Sequence, residues 1–148
     1  VRLGDPFAKT PYLDGLVLTS NYVAPVRGNK FPVLEYDFYS FQTGPVDVYT
    51  YMMPIFPLDN EHGSRYGVMV DNSPVYLPEA GAPYYSTLWI QSVLRNCRIN
   101  KTTHFIDKPG KHTVKIYCAH PGMMLQKIVV DFVGLKKSYM GPESTKIN

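Results

Sequence analysis

No apolar run in this 148-residue sequence approaches the roughly 20 residues that a membrane-spanning helix needs. The N-terminus lacks a charged, apolar, small-residue leader, so the chain is expected to be soluble and to carry no address of its own. It begins at Val1, as expected of a mature protein or of a domain cut from a longer one. Lysine and arginine are scattered and the net charge is only +3, so the electrostatic footprint of a nucleic-acid-binding protein is missing. GxSxG, GxxxxGK and GxGxxG are all absent, and nothing nominates a nucleophile. Only 84–108 runs more than a dozen residues without glycine or proline, which leaves an all-helical bundle nowhere to place its helices. Charge is sparse at 18% against 45% hydrophobic residues, which excludes a disordered tail and fits one domain.

What is present is a β-rich pattern. VLEYDFYSF from Val33 sets Leu34, Tyr36 and Phe38 on one face, and PVDVYTYMM from Pro45 alternates Val46, Val48, Thr50 and Met52 against Asp47, Tyr49 and Tyr51. With Thr43-Gly44-Pro45 between them, these two segments are expected to pair as a hairpin. RYGVMVDN from Arg65 is a further strand, and GLVLTS from Gly15 a short one. RINKTTHFI and KHTVKIYCA, joined through Asp107-Lys108-Pro109-Gly110, read as a second hairpin with His112, Val114, Ile116 and Cys118 on one face. MMLQKIVVDFVG supplies a last strand, and DNEHGS from Asp59 is turn chemistry. STLWIQSVLR from Ser86 can form two to three helical turns capped by Ser86, with Trp89 and Val93 on one face. The expected fold is all-β, an antiparallel β-sandwich of jelly-roll type with at most one short helix. It makes a single domain over 1–148, with an irregular leading segment 1–32 and a tail 135–148.

In the second hairpin Cys97 and Cys118 become diagonal neighbours about 7–8 Å apart, beyond disulfide reach unless a bulge intervenes, so the bond stays open with the unbonded form favoured. His62, His104, His112 and His120 show no zinc-ligand spacing. His112 reads as core-facing or capping and His120 as turn chemistry. No cofactor is expected. A structural calcium with ligands drawn from Asp71, Asn72, Glu79 and Asp131 stays open, although no EF-hand spacing exists. Pairings among Glu35, Asp37, Glu79 and Asp131 carry no signal for glycosidase chemistry.

Read together, LEYDF from Leu34, PIFPLD from Pro54, RYGVMVDN, Trp89 with Asn96, PGKHTVKI from Pro109, LQKIVVDF from Leu125 and above all SYMGPES from Ser138 resemble the C-terminal β-sandwich domain of glycoside hydrolase family 115, the xylan α-glucuronidases. A second proline usual in the family's tail is replaced here by Glu143. The resemblance implies a galactose-binding-like, non-catalytic accessory domain whose catalytic residues lie elsewhere in a parent enzyme. It also implies secretion or a bacterial periplasmic location.

The implied function is a carbohydrate-binding module for plant cell-wall xylan or glucuronoxylan. EAGAPYYSTLW places Tyr84, Tyr85 and Trp89 within six residues, suited to stacking on pyranose rings, while Arg95, Asn96 and Arg98 follow and could meet hydroxyls or acidic side groups. The competing reading for Trp89 and Val93 is a helical face packed on the sheet. The alternative function is a structural or homodimerisation domain with no sugar binding of its own, docking on the catalytic domain or a second copy. Met52, Met53, Met123 and Met124 would suit such a surface, since one of each adjacent pair should face outward.

Overall fold

The computed structural model describes residues 2–3, 16–18, 32–56, 64–120, 122–139 and 141–145. Most of the segment 1–32, the turn expected at 59–64 apart from Ser64, and His62 lie outside the described residues. In chain order the elements are β1 (Arg2–Leu3), β2 (Leu16–Leu18), β3 (Val33–Ser40), β4 (Gly44–Met52), β5 (Tyr66–Val70), α1 (Thr87–Leu94), β6 (Arg98–Ile106), β7 (Gly110–Cys118) and β8 (Met123–Asp131). One sheet has the order β1-β2-β8-β4-β6 and the other β3-β7-β5, every pairing antiparallel.

The alternation that defines the strands also defines the core. Val46, Val48 and Met52 of β4 meet Tyr66, Val68 and Val70 of β5, with Val114 and Ile116 of β7 and Met123 and Leu125 of β8 in the same cluster. Each fully buried side chain of this kind contributes about 1.5–3 kcal/mol. Two polar groups on the inner faces, Tyr66 and His104, are satisfied locally. The Tyr66 hydroxyl meets Thr50 Oγ1 and accepts from Asn100 Nδ2 at 2.9 Å, and His104 lies between Ser73 Oγ at 3.0 Å and Thr102 Oγ1 at 2.9 Å.

Neither expected hairpin forms. β3 and β4 belong to different sheets, as do β6 and β7, so both connections are arches that carry the chain across the core. The arches stack on each other: Ser40 pairs with Gly110, and Gly44 with Ile106. A tight hairpin needs positive φ inside its loop, but here the positive angles fall on Gly44 (+121°) and Gly110 (+142°), the first residues of the next strands. The chain therefore swings out of the sheet instead of turning back within it.

This topology also corrects the cysteine geometry. Cys118 ends β7 in the three-stranded sheet, whereas Cys97 precedes β6 in the other, so they are not diagonal neighbours in one ladder. Neither is in a disulfide and both are buried. Burial pushes the Cys97 thiol up to about 12, and Cys118 is raised for the same reason. The mass of the unreduced chain should therefore show no two-proton deficit, and both thiols should resist a thiol reagent until denaturant is added; rapid labelling of the native chain would contradict their burial.

The outer face of β4 and β8 is covered at one end by the chain's own C-terminal residues. Tyr51 points outward yet is only 2% exposed, because Gly141 approaches so closely that a Cβ there would lie 2.7 Å from Tyr51 Oη. Lys127 Nζ donates to the Pro142 carbonyl at 2.7 Å. This gives SYMGPES a physical meaning: Gly141 has φ +71°, and no side chain fits between it and Tyr51. Gly141→Ala should cost about 1–2 kcal/mol, read calorimetrically as a fall in Tm of several degrees; an unchanged Tm would mean that this contact contributes nothing.

The expected outward methionines are not found either. Met123 and Met52 are in the core, Met53 is half-buried, and Met124 is buried although its neighbour Met123 faces the core. A register shift between Tyr51 and Met52 against β8 disrupts strict alternation at this end.

Candidate functional site

The end of the sandwich opposite the arches collects aromatic rings. Pro54 has no N–H to donate and the β4 ladder stops before it, after which Ile55 forms an isolated bridge with Gly81 and Phe56 emerges exposed. Ala82 and Pro83 lead into a turn closed by Ser86 N–H donating to the Pro83 carbonyl at 3.0 Å. Tyr84 and Tyr85 occupy its two central positions, and Tyr85 has φ +57°. A left-handed tyrosine costs about 1 kcal/mol or more, so the turn holds an exposed ring in a conformation that glycine would adopt more easily.

α1 begins immediately after, with Ser86 Oγ accepting from Trp89 N–H at 3.1 Å, so the predicted cap and helix are present. Trp89 is thereby fixed in the first turn, beside the tyrosines. Its ring stacks on Phe56 (centroids 5.4 Å, planes 24° apart), and Tyr84 meets it edge-on at 5.2 Å. Tyr85 lies 4.0 Å from Tyr84 and 5.9 Å from Trp89, and Tyr84 is also edge-on to Phe56 at 5.1 Å. The four rings form one cluster in which Phe56 backs Trp89 while Tyr84 and Tyr85 face solvent. The Tyr84 phenol is held above its ordinary pKa, first by a hydrogen bond with Tyr85 and then by burial.

The helix is amphipathic in the inverted sense. Its buried residue is Ser92, whose Oγ donates to the Leu88 carbonyl at 2.7 Å, whereas Ile90, Val93 and Leu94 are exposed. The reading that packs Trp89 and Val93 together on the sheet is therefore incorrect for Val93. A small serine inward lets the helix lie close to its support, and the bulky side chains turn out.

Arg95 and Asn96 lie at the other end of the helix, about 9–10 Å beyond Trp89 at 1.5 Å per residue, and make no ring contact with the cluster. Asn96 (φ +53°) terminates α1: its N–H bonds to the Val93 carbonyl and that of Cys97 to Ser92, each at 2.9 Å, which is a Schellman motif. Arg98 begins β6, and its Nε is buried without a hydrogen-bond partner among the described residues. The structure thus brings Tyr84, Tyr85 and Trp89 together, leaves Arg95 and Asn96 apart from them, and adds Phe56. The signal for Phe56 was its place between Pro54 and Pro57, where no ladder can hold an aromatic ring.

Of the oxygen ligands weighed for calcium, Asp71 and one oxygen of Asp131 are engaged elsewhere. Asp71 binds His112 Nδ1 at 2.7 Å and Thr113 N–H at 2.8 Å, and Asp131 Oδ1 accepts from Val133 and Gly134 N–H, each at 3.1 Å. Among the described residues no three His, Cys, Asp or Glu side chains are grouped as a metal site would require.

A family model described as the glycosyl hydrolase family 115 C-terminal domain matches residues 11–144. Among solved structures, the chain is similar to a family GH115 4-O-methyl-α-glucuronidase with specificity for decorated arabinogalactans, at TM-score 0.64 and 21% identity, over 82% of this chain and 14% of that one. At that identity the likeness concerns the fold. A slighter similarity, TM-score 0.45 and 13% identity over 83% of this chain and 26% of the other, links it to a Podospora anserina GH26-CBM35 β-(1,4)-mannanase. No curated protein matches.

Proposed function

We infer, for a chain that belongs to the glycosyl hydrolase family 115 C-terminal domains, a non-catalytic carbohydrate-binding role in a plant-polysaccharide-degrading enzyme. The catalytic residues belong to another domain of that enzyme, and the substrate class is xylan or glucuronoxylan. The location proposed is secreted or periplasmic. The observation that carries this reading is the cluster around Trp89, in which a strained turn keeps Tyr84 and Tyr85 in solvent. Sugar rings present apolar C–H faces to aromatic planes and hydroxyls to phenols, and this cluster offers both. A stacking contact is worth about 1–3 kcal/mol by analogy with bases on aromatic side chains. Arg95 and Asn96, a helix length away, would meet the hydroxyls of the next part of an extended chain.

Affinity electrophoresis tests this directly. The domain should be retarded in gels containing glucuronoxylan or arabinoxylan relative to a gel without polysaccharide, with and without a calcium chelator. Free migration in both xylans would contradict the reading.

A second reading has its own observation, the outward apolar face of α1. Ile90, Val93 and Leu94 have no use in stacking on sugars, and they suit a structural role in which α1 seats against the catalytic domain or a second copy. Free migration together with a dimer in sedimentation would favour this structural role.

A further inference from the structure

We propose that the domain carries a second glycan-binding platform, formed by Tyr39, Phe41 and the polar row beside them on the outer face of the three-stranded sheet; this rests on the carbohydrate-binding reading of the first. Tyr39 is 61% exposed and Phe41 87%, and their rings lie against each other with centroids 4.9 Å apart. An aromatic pair this exposed contributes little to the core, and yet it is held in place. Ser40, between them and buried, donates from Oγ to the Gln42 carbonyl at 2.6 Å and accepts from Gln42 N–H at 3.3 Å. That clamp rigidifies the arch and keeps Phe41 pointing out.

The neighbours of the pair fit a neutral sugar better than a protein or a charged ligand. Tyr39 stands opposite Lys111 in the β3–β7 ladder, and Asp37 opposite Thr113. Lys111 Nζ lies 2.7 Å from Asp37 Oδ2, and Thr113 Oγ1 donates to Asp37 Oδ1 at 2.8 Å. The charges therefore cancel locally, leaving an exposed row of donors and acceptors suited to hydroxyl groups beside an apolar ring face. The next ladder step repeats the arrangement with Glu35 and Lys115, 3.7 Å apart.

The two platforms sit at opposite ends of β4, whose nine residues span about 27 Å. Tyr39 and Phe41 precede it through the arch, and Phe56 follows it. Two sites on one rigid domain raise retention on a long polymer well above that of either alone, but do nothing for an oligosaccharide too short to reach both.

The test compares Tyr39→Ala/Phe41→Ala with Tyr84→Ala/Tyr85→Ala and the quadruple variant, using xylan in affinity gels and xylotriose in solution with Trp89 fluorescence as the readout. Loss of the Tyr39 and Phe41 rings should weaken retention on xylan roughly 10–100-fold while leaving the xylotriose titration at Trp89 unchanged. The Tyr84/Tyr85 variant should keep residual retention, which the quadruple variant loses. Unchanged retention for Tyr39→Ala/Phe41→Ala, with abolition by Tyr84→Ala/Tyr85→Ala, would overturn the second platform and leave the first standing. Retention that responds only to Tyr39 and Phe41 would overturn the first site instead. A shift from dimer to monomer in the Tyr39/Phe41 variant, without change in xylan retention, would assign the patch to a protein contact and overturn the proposal.

Discussion

Tyr84→Ala/Tyr85→Ala should lose most xylan binding at Trp89 while remaining folded. The two rings project from a turn, and both are exposed, so their removal should change stability by only about 0.5 kcal/mol each. Their contribution to binding is larger. At roughly 1–3 kcal/mol per stacking contact, and about 1.4 kcal/mol per tenfold in affinity, losing both weakens binding on the order of a hundredfold. Tyr85→Gly sharpens the interpretation, because glycine relieves the strain of φ +57°: it should raise Tm slightly and still weaken binding. A variant that bound as well as the parent would remove the tyrosines from the site.

The second large effect concerns pH. His112 is 3% exposed, with Nδ1 2.7 Å from Asp71 Oδ2 and Nε2 2.9 Å from the Lys108 carbonyl. Both partners are acceptors, so the protonated imidazole, with two N–H donors, satisfies both of them, and the site favours the cation. The hydrogen bond with Asp71 is the first cause that raises its pKa above 6.5, opposed by burial and helped by Lys108. His104 shows the reverse, since burial lowers its pKa and it sits between two hydroxyls that accommodate a neutral ring. For a histidine whose folded pKa is raised, the added stability is fully present below the unfolded value of 6.5 and is lost as pH rises through the folded pKa.

Asp71→Asn should therefore be destabilising by about 1.5–2 kcal/mol near pH 6, the lower part of the range for a charged hydrogen bond because Asp71 is partly exposed. Asparagine tolerates the left-handed backbone at this position, φ +50°, so the substitution isolates the charge. The gap between parent and variant should narrow as pH rises above 6.5 in urea denaturation. A gap that stayed constant from pH 5.5 to 9 would show that His112 is neutral throughout.

Period-two alternation made the inner faces legible, because burial on one side leaves the same imprint whatever the strand's partner. Val46 and Val48, Val68 and Val70, and His112, Val114 and Ile116 all face inward as the pattern requires. The partner itself leaves no such imprint. A hairpin and an arch both join two alternating segments, and the distinction lay in the backbone angles of Gly44 and Gly110, which composition does not reveal. Ser86 announced its helix through local capping, but the direction of that helix was hidden. Spacing of four makes Trp89 and Val93 look like a buried stripe, whereas close approach to the sheet favoured Ser92. Tyr84, Tyr85 and Trp89 could be found as neighbours in sequence; Phe56 joins them only because the chain after β4 returns beside the segment after Ala82.

Trp89 is the sole tryptophan in the sequence, so its fluorescence reports from within the proposed site with no competing emitter of its kind. Titration with xylo-oligosaccharides should produce a saturable change in its emission, with a dissociation constant on the order of millimolar to micromolar if three rings engage, and the change should vanish in Tyr84→Ala/Tyr85→Ala. Emission that stays constant while the same domain is retarded in xylan gels would place the binding site elsewhere and contradict the account of this cluster.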